Sequence, residues 1–216
     1  MDYLINIAQN FDTILNDYVN QYGNLSYLIA FLVVWIETGL IIFAAFLPGE
    51  TLLFAAGAIA AIPENKLQII PLIIIFFLAA LLGDSTNYLV GKTIGQNLLK
   101  TQLGKRLIKS NQIEDTEKFF EKYGPSTIIL GRYVPVIRAL IPFVAAASKF
   151  SFGHFFRYSV IGAAGWSILI TMIGYLFGNF PFVKDNFVLI IMGIVLFSLM
   201  PTIIGAYNSY KSNKKN

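Results

Sequence analysis

The chain has 216 residues, of which 56% are hydrophobic and 13% charged, with a mean hydropathy of +0.66. Soluble domains carry about 25% charged residues. Two uncharged runs here, Tyr158 to Val183 and Asn186 to Tyr210, exceed the roughly 20 residues that cross a bilayer core, so a soluble fold is set aside for an all-α polytopic membrane protein. The absence of cysteine excludes disulfides, thiolate metal sites and cysteine nucleophiles, and His154, the single histidine, cannot build a metal cluster alone.

Residues 1–22 alternate apolar Leu4, Ile7, Phe11, Leu15 and Tyr18 with polar Asp2, Asn6, Asp12 and Asn16 at helical spacing. This predicts an amphipathic helix lying in the membrane interface. No basic region precedes the first apolar stretch, so a cleaved signal peptide is not expected. Residues 25–62 are apolar apart from Glu37 and Glu50, and "FLPGE" at 46–50 interrupts them with Pro48 and Gly49. The polar link "PENKLQ" at 63–68 leads into a span at 69–90 with Asp84 near its far end. A charged linker at 92–122 reads as one or two surface helices, with a turn near "KSNQ" at 109–112. The segment 125–149 contains "GRYVPVIRALIPF", in which Arg132 and Arg138 are interleaved with the breakers Gly131, Pro135 and Pro142. Two more spans are predicted at 155–179 and 187–207, followed by a basic tail at 208–216.

The net charge of +4 is a matter of placement and gives no sign of a nucleic-acid partner. Seven Lys/Arg fall between Lys92 and Lys122, and three more at Lys211, Lys214 and Lys215. Basic loops beside membrane segments stay in the cytoplasm, which puts both regions inside a cell membrane. The span 69–90 then runs inward, 155–179 outward and 187–207 inward. By parity, 125–149 starts and ends inside and must dip in and return. With the acidic N-terminal helix outside, 25–62 dips and returns from the outer face. The rival is that residues 25–47 cross fully. The first arrangement is an inverted repeat of re-entrant hairpin plus span, the layout in which broken helices meet near the midplane. "LLGDSTNYLVGKTIG" at 81–95 and "AAGWSILITMIGYLFG" at 163–178 share its glycine and apolar rhythm.

Glu37, Glu50, Asp84, Arg132 and Arg138 are charges in apolar context, where each costs on the order of 3 kcal/mol unless it faces a cavity or a partner. One account is internal bracing, with Glu37 or Glu50 paired to Arg132 or Arg138. Another is functional. Arginine stays protonated and offers a planar fork suited to phosphate, and helix ends add free N–H groups to an anion site. A carboxyl group at low dielectric favours its neutral form and can load and release protons. For Asp84, an interfacial helix terminus is the plain alternative. His154 and Arg157, at the start of a span, are expected to snorkel to headgroups, and Trp35 and Trp166 to be packing residues.

"FLPGE" (46–50), "GDSTNYLVGKTIG" (83–95) and "GRYVPVIRALIPFVAAASKFSFGHFFRYSVIGAAGW" (131–166) resemble the DedA family of bacterial membrane proteins, within the SNARE-associated superfamily that also contains eukaryotic lipid scramblases. The likeness covers roughly residues 25–180, expected to form the transport domain. It implies opposed re-entrant hairpins, dependence on the proton motive force with no other cofactor, and translocation of anionic lipids. Undecaprenyl phosphate is the leading substrate. By position, Glu37 and Glu50 match the family's essential acids and Arg132 and Arg138 its essential arginines, while Asp84 fits a Gly-Asp landmark. The resemblance therefore implies phosphate binding by Arg132 and Arg138 and proton coupling by Glu37, Glu50 and Asp84. The expected partners are the bilayer and an isoprenoid or phospholipid anion, with the number of subunits, homo-oligomer included, left open. Alternatives are a glycerophospholipid flippase or scramblase and an osmosensing or structural protein. An enzyme is not expected, because neither a zinc-type H-E-x-x-H pair nor a G-x-S-x-G elbow occurs.

Overall fold

The computed structural model describes residues 21–40, 49–62, 66–100, 110–147, 150–178, 180 and 193. Among them the regular structure is helical, with no strand. The helices are α1 (Asn24–Gly39), α2 (Gly49–Ala60), α3 (Ile69–Lys100), α4 (Ser110–Tyr123), the single turn α5 (Thr127–Leu130), α6 (Pro135–Ala147) and α7 (Phe152–Gly178). Short 3₁₀ turns at Gly124–Ser126 and Gly131–Tyr133 flank α5. The expected N-terminal helix at 1–22, Pro48, the link at 63–65, the final span at 187–207 and the tail lie outside the described residues, save for isolated positions.

Among the described residues two helices are long and apolar enough to cross a membrane: Ile69–Thr93 within α3 and the whole of α7. Their outward faces are apolar and exposed, through Ile70, Ile74, Leu78, Leu82 and Leu89 on α3 and Ile161, Ile168 and Leu176 on α7. Such faces suit hydrocarbon surroundings rather than water. By contrast α1, α2 and α6, at 16, 12 and 13 residues, fall short of a bilayer core at 1.5 Å of rise per residue. α1 ends at Gly39, and the rest of the rival crossing over 25–47 falls on residues 41–47, outside the described residues.

Several boundaries move. α3 continues ten residues past the expected end at 90, because nothing in "GKTIGQNLLK" forbids a helix once it has left the apolar layer. The linker thus begins as an extension of a span. Its second helix, α4, starts at Ser110 inside the expected turn, and ends at Gly124, whose φ of +57° is a left-handed conformation suited to glycine. Pro135 does not interrupt a helix but starts one: Val134 before it is extended (φ −110°, ψ +108°), and proline's fixed φ suits a first helical position. Pro142, expected to break the segment, lies inside α6, which runs on to Ala147 with one helical hydrogen bond forgone.

The chain divides into two compact units. In the first (Met1–Leu28, Pro48–Leu72 and Ile170–Asn216), α2 lies tightly on the end of α7, because Gly174 and Gly178 let the backbones of Phe54 and Ala58 come close. The Gln68 amide donates to Tyr27 Oη at 2.8 Å. In the second (Ile29–Leu47 and Ile73–Leu169), α3 is the central pillar. A Cβ at Gly83 would stand 2.7 Å from Thr38 Cβ, and one at Gly91 2.9 Å from Phe143 Cα, so these glycines let α1 and α6 approach. Midway between them on the same face, Asn87 Nδ2 donates to Ala139 O at 2.9 Å and to Thr38 O at 3.3 Å. That side chain is 1% exposed and ties α1 to α6 across α3. Below it, Tyr88, Ile128, Ile141, Ala145 and Phe155 form an apolar core, with Phe120 of α4 packed against it.

Candidate functional site

Arg132 sits in the 3₁₀ turn Gly131–Tyr133, 6% exposed. Gly131 lets Ile141 pack directly on this turn, since a Cβ there would push Ile141 Cδ1 aside. The guanidinium donates from Nη1 to Asp84 Oδ2, and Ser159 Oγ of α7 donates to the same oxygen. Asp84 is therefore no interfacial helix terminus. It is 4% exposed in the middle of α3 and joins three elements.

Arg138 lies one turn into α6, where Nη2 donates to Glu37 Oε1. Glu37 is 1% exposed and stands in the last turn of α1, so the negative end of its own helix faces its carboxylate. The Arg138 guanidinium offsets both. Two buried ion pairs thus come from four elements, with 101 residues between the partners of one and 48 between those of the other.

Trp166 of α7 connects them. It is 2% exposed, and its ring centroid lies 5.1 Å from Arg138 Cζ and 5.5 Å from Arg132 Cζ. Both cations are within reach of the ring quadrupole. Glu37, Asp84, Arg132, Arg138, Trp166 and Pro142 line one small pocket of about 20 Å³, room for a single water as the ion pairs stand closed.

Four of the charges singled out in the sequence thus meet in one place, and the arginines are not unpaired as a bare anion site would have them. Glu50 belongs to the first unit, in the first turn of α2, where the helix dipole favours a carboxylate. Gly49 is the first residue of that helix. His154 and Arg157 are exposed near the start of α7, with Ser151 Oγ 2.8 Å from His154 Nδ1. Trp35 donates weakly to Thr86 Oγ1 at 3.4 Å. The sequence reading missed Ser159, Asn87 and the role of Trp166. The signal was in the spacing: Asn87 is three residues after Asp84, and Ser159 is seven before Trp166, on one face of each helix.

The whole arrangement lies within residues 47–176, which match the VTT domain, except for Glu37 and the rest of α1. The chain is 40% identical over 202 residues to the protein DedA of Escherichia coli K12, covering 94% of this chain and 91% of that one. The chain belongs to the DedA family. Another relative is an uncharacterized membrane protein of Mycobacterium tuberculosis H37Rv, 39% identical over 183 residues (85% of this chain, 79% of that one). A third is the inner membrane protein YqjA of E. coli K12, 29% identical over 174 residues (81% and 76%). No solved structure matches. Family and apolar helices together make this DedA-family chain a membrane protein.

Proposed function

We propose that the protein is a proton-coupled membrane lipid translocase that returns undecaprenyl phosphate to the cytoplasmic leaflet for cell-envelope polymer synthesis. The observation that carries this is the pocket with two guanidinium groups, Arg132 buried and Arg138 partly so, each held by a carboxylate from a different helix. Arginine and phosphate are matched in charge and fork geometry, so an incoming phosphate competes with the carboxylates for the same N–H groups. A carboxylate displaced at low dielectric takes up a proton instead of remaining charged, which links entry of the lipid head to proton uptake. Glu37 is the better carrier, since its helix end opposes the charge while that of Glu50 supports it. The three short helices, with an extended residue at Val134 ahead of α6, suit re-entrant hairpins in an inverted repeat with the C-terminus inside. The proton motive force is the only cofactor this scheme uses, and the prenyl tail stays in lipid.

Reconstitution in liposomes tests this. With a pH gradient imposed, undecaprenyl phosphate should move faster than phosphatidylethanolamine, and Arg138→Ala should abolish the difference. Equal movement of both lipids, indifferent to pH and to Arg138→Ala, would falsify the reading and leave a general scramblase.

The ion pairs themselves favour a second reading, a brace that only holds the helices together in a structural or osmosensing protein. The observed partners give the charge exchange that separates the two: Glu37→Arg with Arg138→Glu. A brace regains activity in the double variant. A phosphate site does not, because the guanidinium now projects from α1.

A further inference from the structure

The carboxylates account for the charge of the two arginines but not for their shared position, and α7 supplies that. Phe155, Ser159, Ala163 and Trp166 form its buried stripe. Beside the stripe, Gly162 and Gly165 keep the surface low: a Cβ on Gly162 would lie 3.7 Å from Arg132 Cδ, and one on Gly165 3.2 Å from Tyr133 Oη. The arginine-bearing turn therefore seats directly on α7, and the next large side chain, Trp166, reaches both guanidinium groups.

We propose that Trp166 is a positioning residue that holds Arg132 and Arg138 as a single two-pronged anion clamp, setting their spacing whether or not the carboxylates are engaged. The inference rests on the reading of these arginines as a lipid-phosphate site. Asp84 and Glu37 come from α3 and α1, and a carboxylate must release its arginine for an anion to enter. At that moment two like charges stand close together at low dielectric and repel. The indole face attracts both, and tryptophan does this better than any other side chain. It carries no charge and does not titrate, so it never competes with the phosphate for the N–H groups. Leucine could fill part of the space, but only an aromatic ring supplies the attraction.

Calorimetric titration of farnesyl phosphate into the protein in phosphatidylcholine nanodiscs reads this out. Trp166→Leu should weaken binding by about tenfold and Trp166→Phe should recover part of the loss, while the two variants melt alike. Equal affinity in Trp166→Phe and Trp166→Leu overturns the proposal, since the indole then only fills volume. A second measurement needs no ligand. Trp35 and Trp166 are the two tryptophans, so Trp35→Phe leaves Trp166 as the sole indole emitter. In that background Arg132→Lys and Arg138→Lys should each shift the emission maximum. Emission indifferent to either change overturns the clamp. Failure of the wild-type protein to bind farnesyl phosphate, with both shifts present, counts against the lipid-phosphate reading alone and leaves the clamp standing.

Discussion

The two buried ion pairs use the same chemistry and stand against the same indole, yet they are held differently. Asp84 lies in the middle of a 32-residue helix and accepts from two other elements, through Arg132 and Ser159. Glu37 stands at the C-terminal end of a 16-residue helix, where the backbone adds negative potential to its own. The first carboxylate is stabilised by everything around it. The second pairs with Arg138 at the negative end of its own helix. On the proposed reading the two arginines divide the work, with the Asp84 pair as the fixed end of the pocket and the Glu37 pair as the exchangeable end.

The comparison breaks first at Arg132. Arg132→Ala leaves Asp84 buried without its cation, and removing one partner of a buried pair costs roughly 3–5 kcal/mol. Thermal unfolding in detergent should show a large loss, and Asp84→Asn in the same chain should restore much of it. An unchanged melting temperature in Arg132→Ala would mean that the Asp84 pair is not the fixed end. Ser159→Ala comes next. It removes a hydrogen bond to a charged acceptor, worth roughly 1.5–3 kcal/mol, and makes Asp84 more like Glu37. Stability should drop and transport should become sensitive to Asp84→Asn at a pH where the parent is not.

Glu37→Gln should cost less, about 1 kcal/mol, because the amide oxygen still accepts from Arg138 and a neutral side chain no longer opposes the helix end. Its effect on function is the reverse of its effect on stability. Lipid-phosphate binding should persist while its dependence on pH disappears. A binding curve that keeps the parent's pH dependence in Glu37→Gln removes Glu37 as the proton carrier.

The sequence displayed the charges but not their pairing. Runs without charge located α3 and α7 because a bilayer imposes length, and Arg132, Arg138, Glu37 and Asp84 stood out because such residues are costly there. Which carboxylate meets which arginine depends on helix approach, set by Gly83 and Gly91 through contacts that no local pattern displays. Trp166 read as packing because an aromatic in an apolar run is the commonest core residue, and nothing in its neighbourhood declares two cations 28 and 34 positions earlier. Pro142 read as a breaker because one missing hydrogen bond is the local rule, whereas burial of α6 outweighs it. The end of α3 was misplaced for a related reason: loss of hydrophobicity marks where a helix leaves the membrane, not where it stops.

The smallest effect belongs to a pair that resembles the others only on paper. In α4, Lys118 Nζ lies 2.7 Å from Glu114 Oε1 with both side chains 63% exposed. The hydrogen bond to Lys118, and then its charge, hold the Glu114 carboxyl below its ordinary range. A lowered carboxyl contributes stability above its unfolded value and loses it as the pH falls through the folded one, so any effect is confined to acid. Water and salt screen the pair at every step, and exposed pairs of this spacing contribute little. Glu114→Gln should therefore leave the melting temperature at neutral pH within the scatter of repeats, and leave lipid movement untouched. If it destabilised the chain as much as Ser159→Ala does, burial would not be what separates the pocket's ion pairs from the rest, and the division of labour between Asp84 and Glu37 would lose its physical basis.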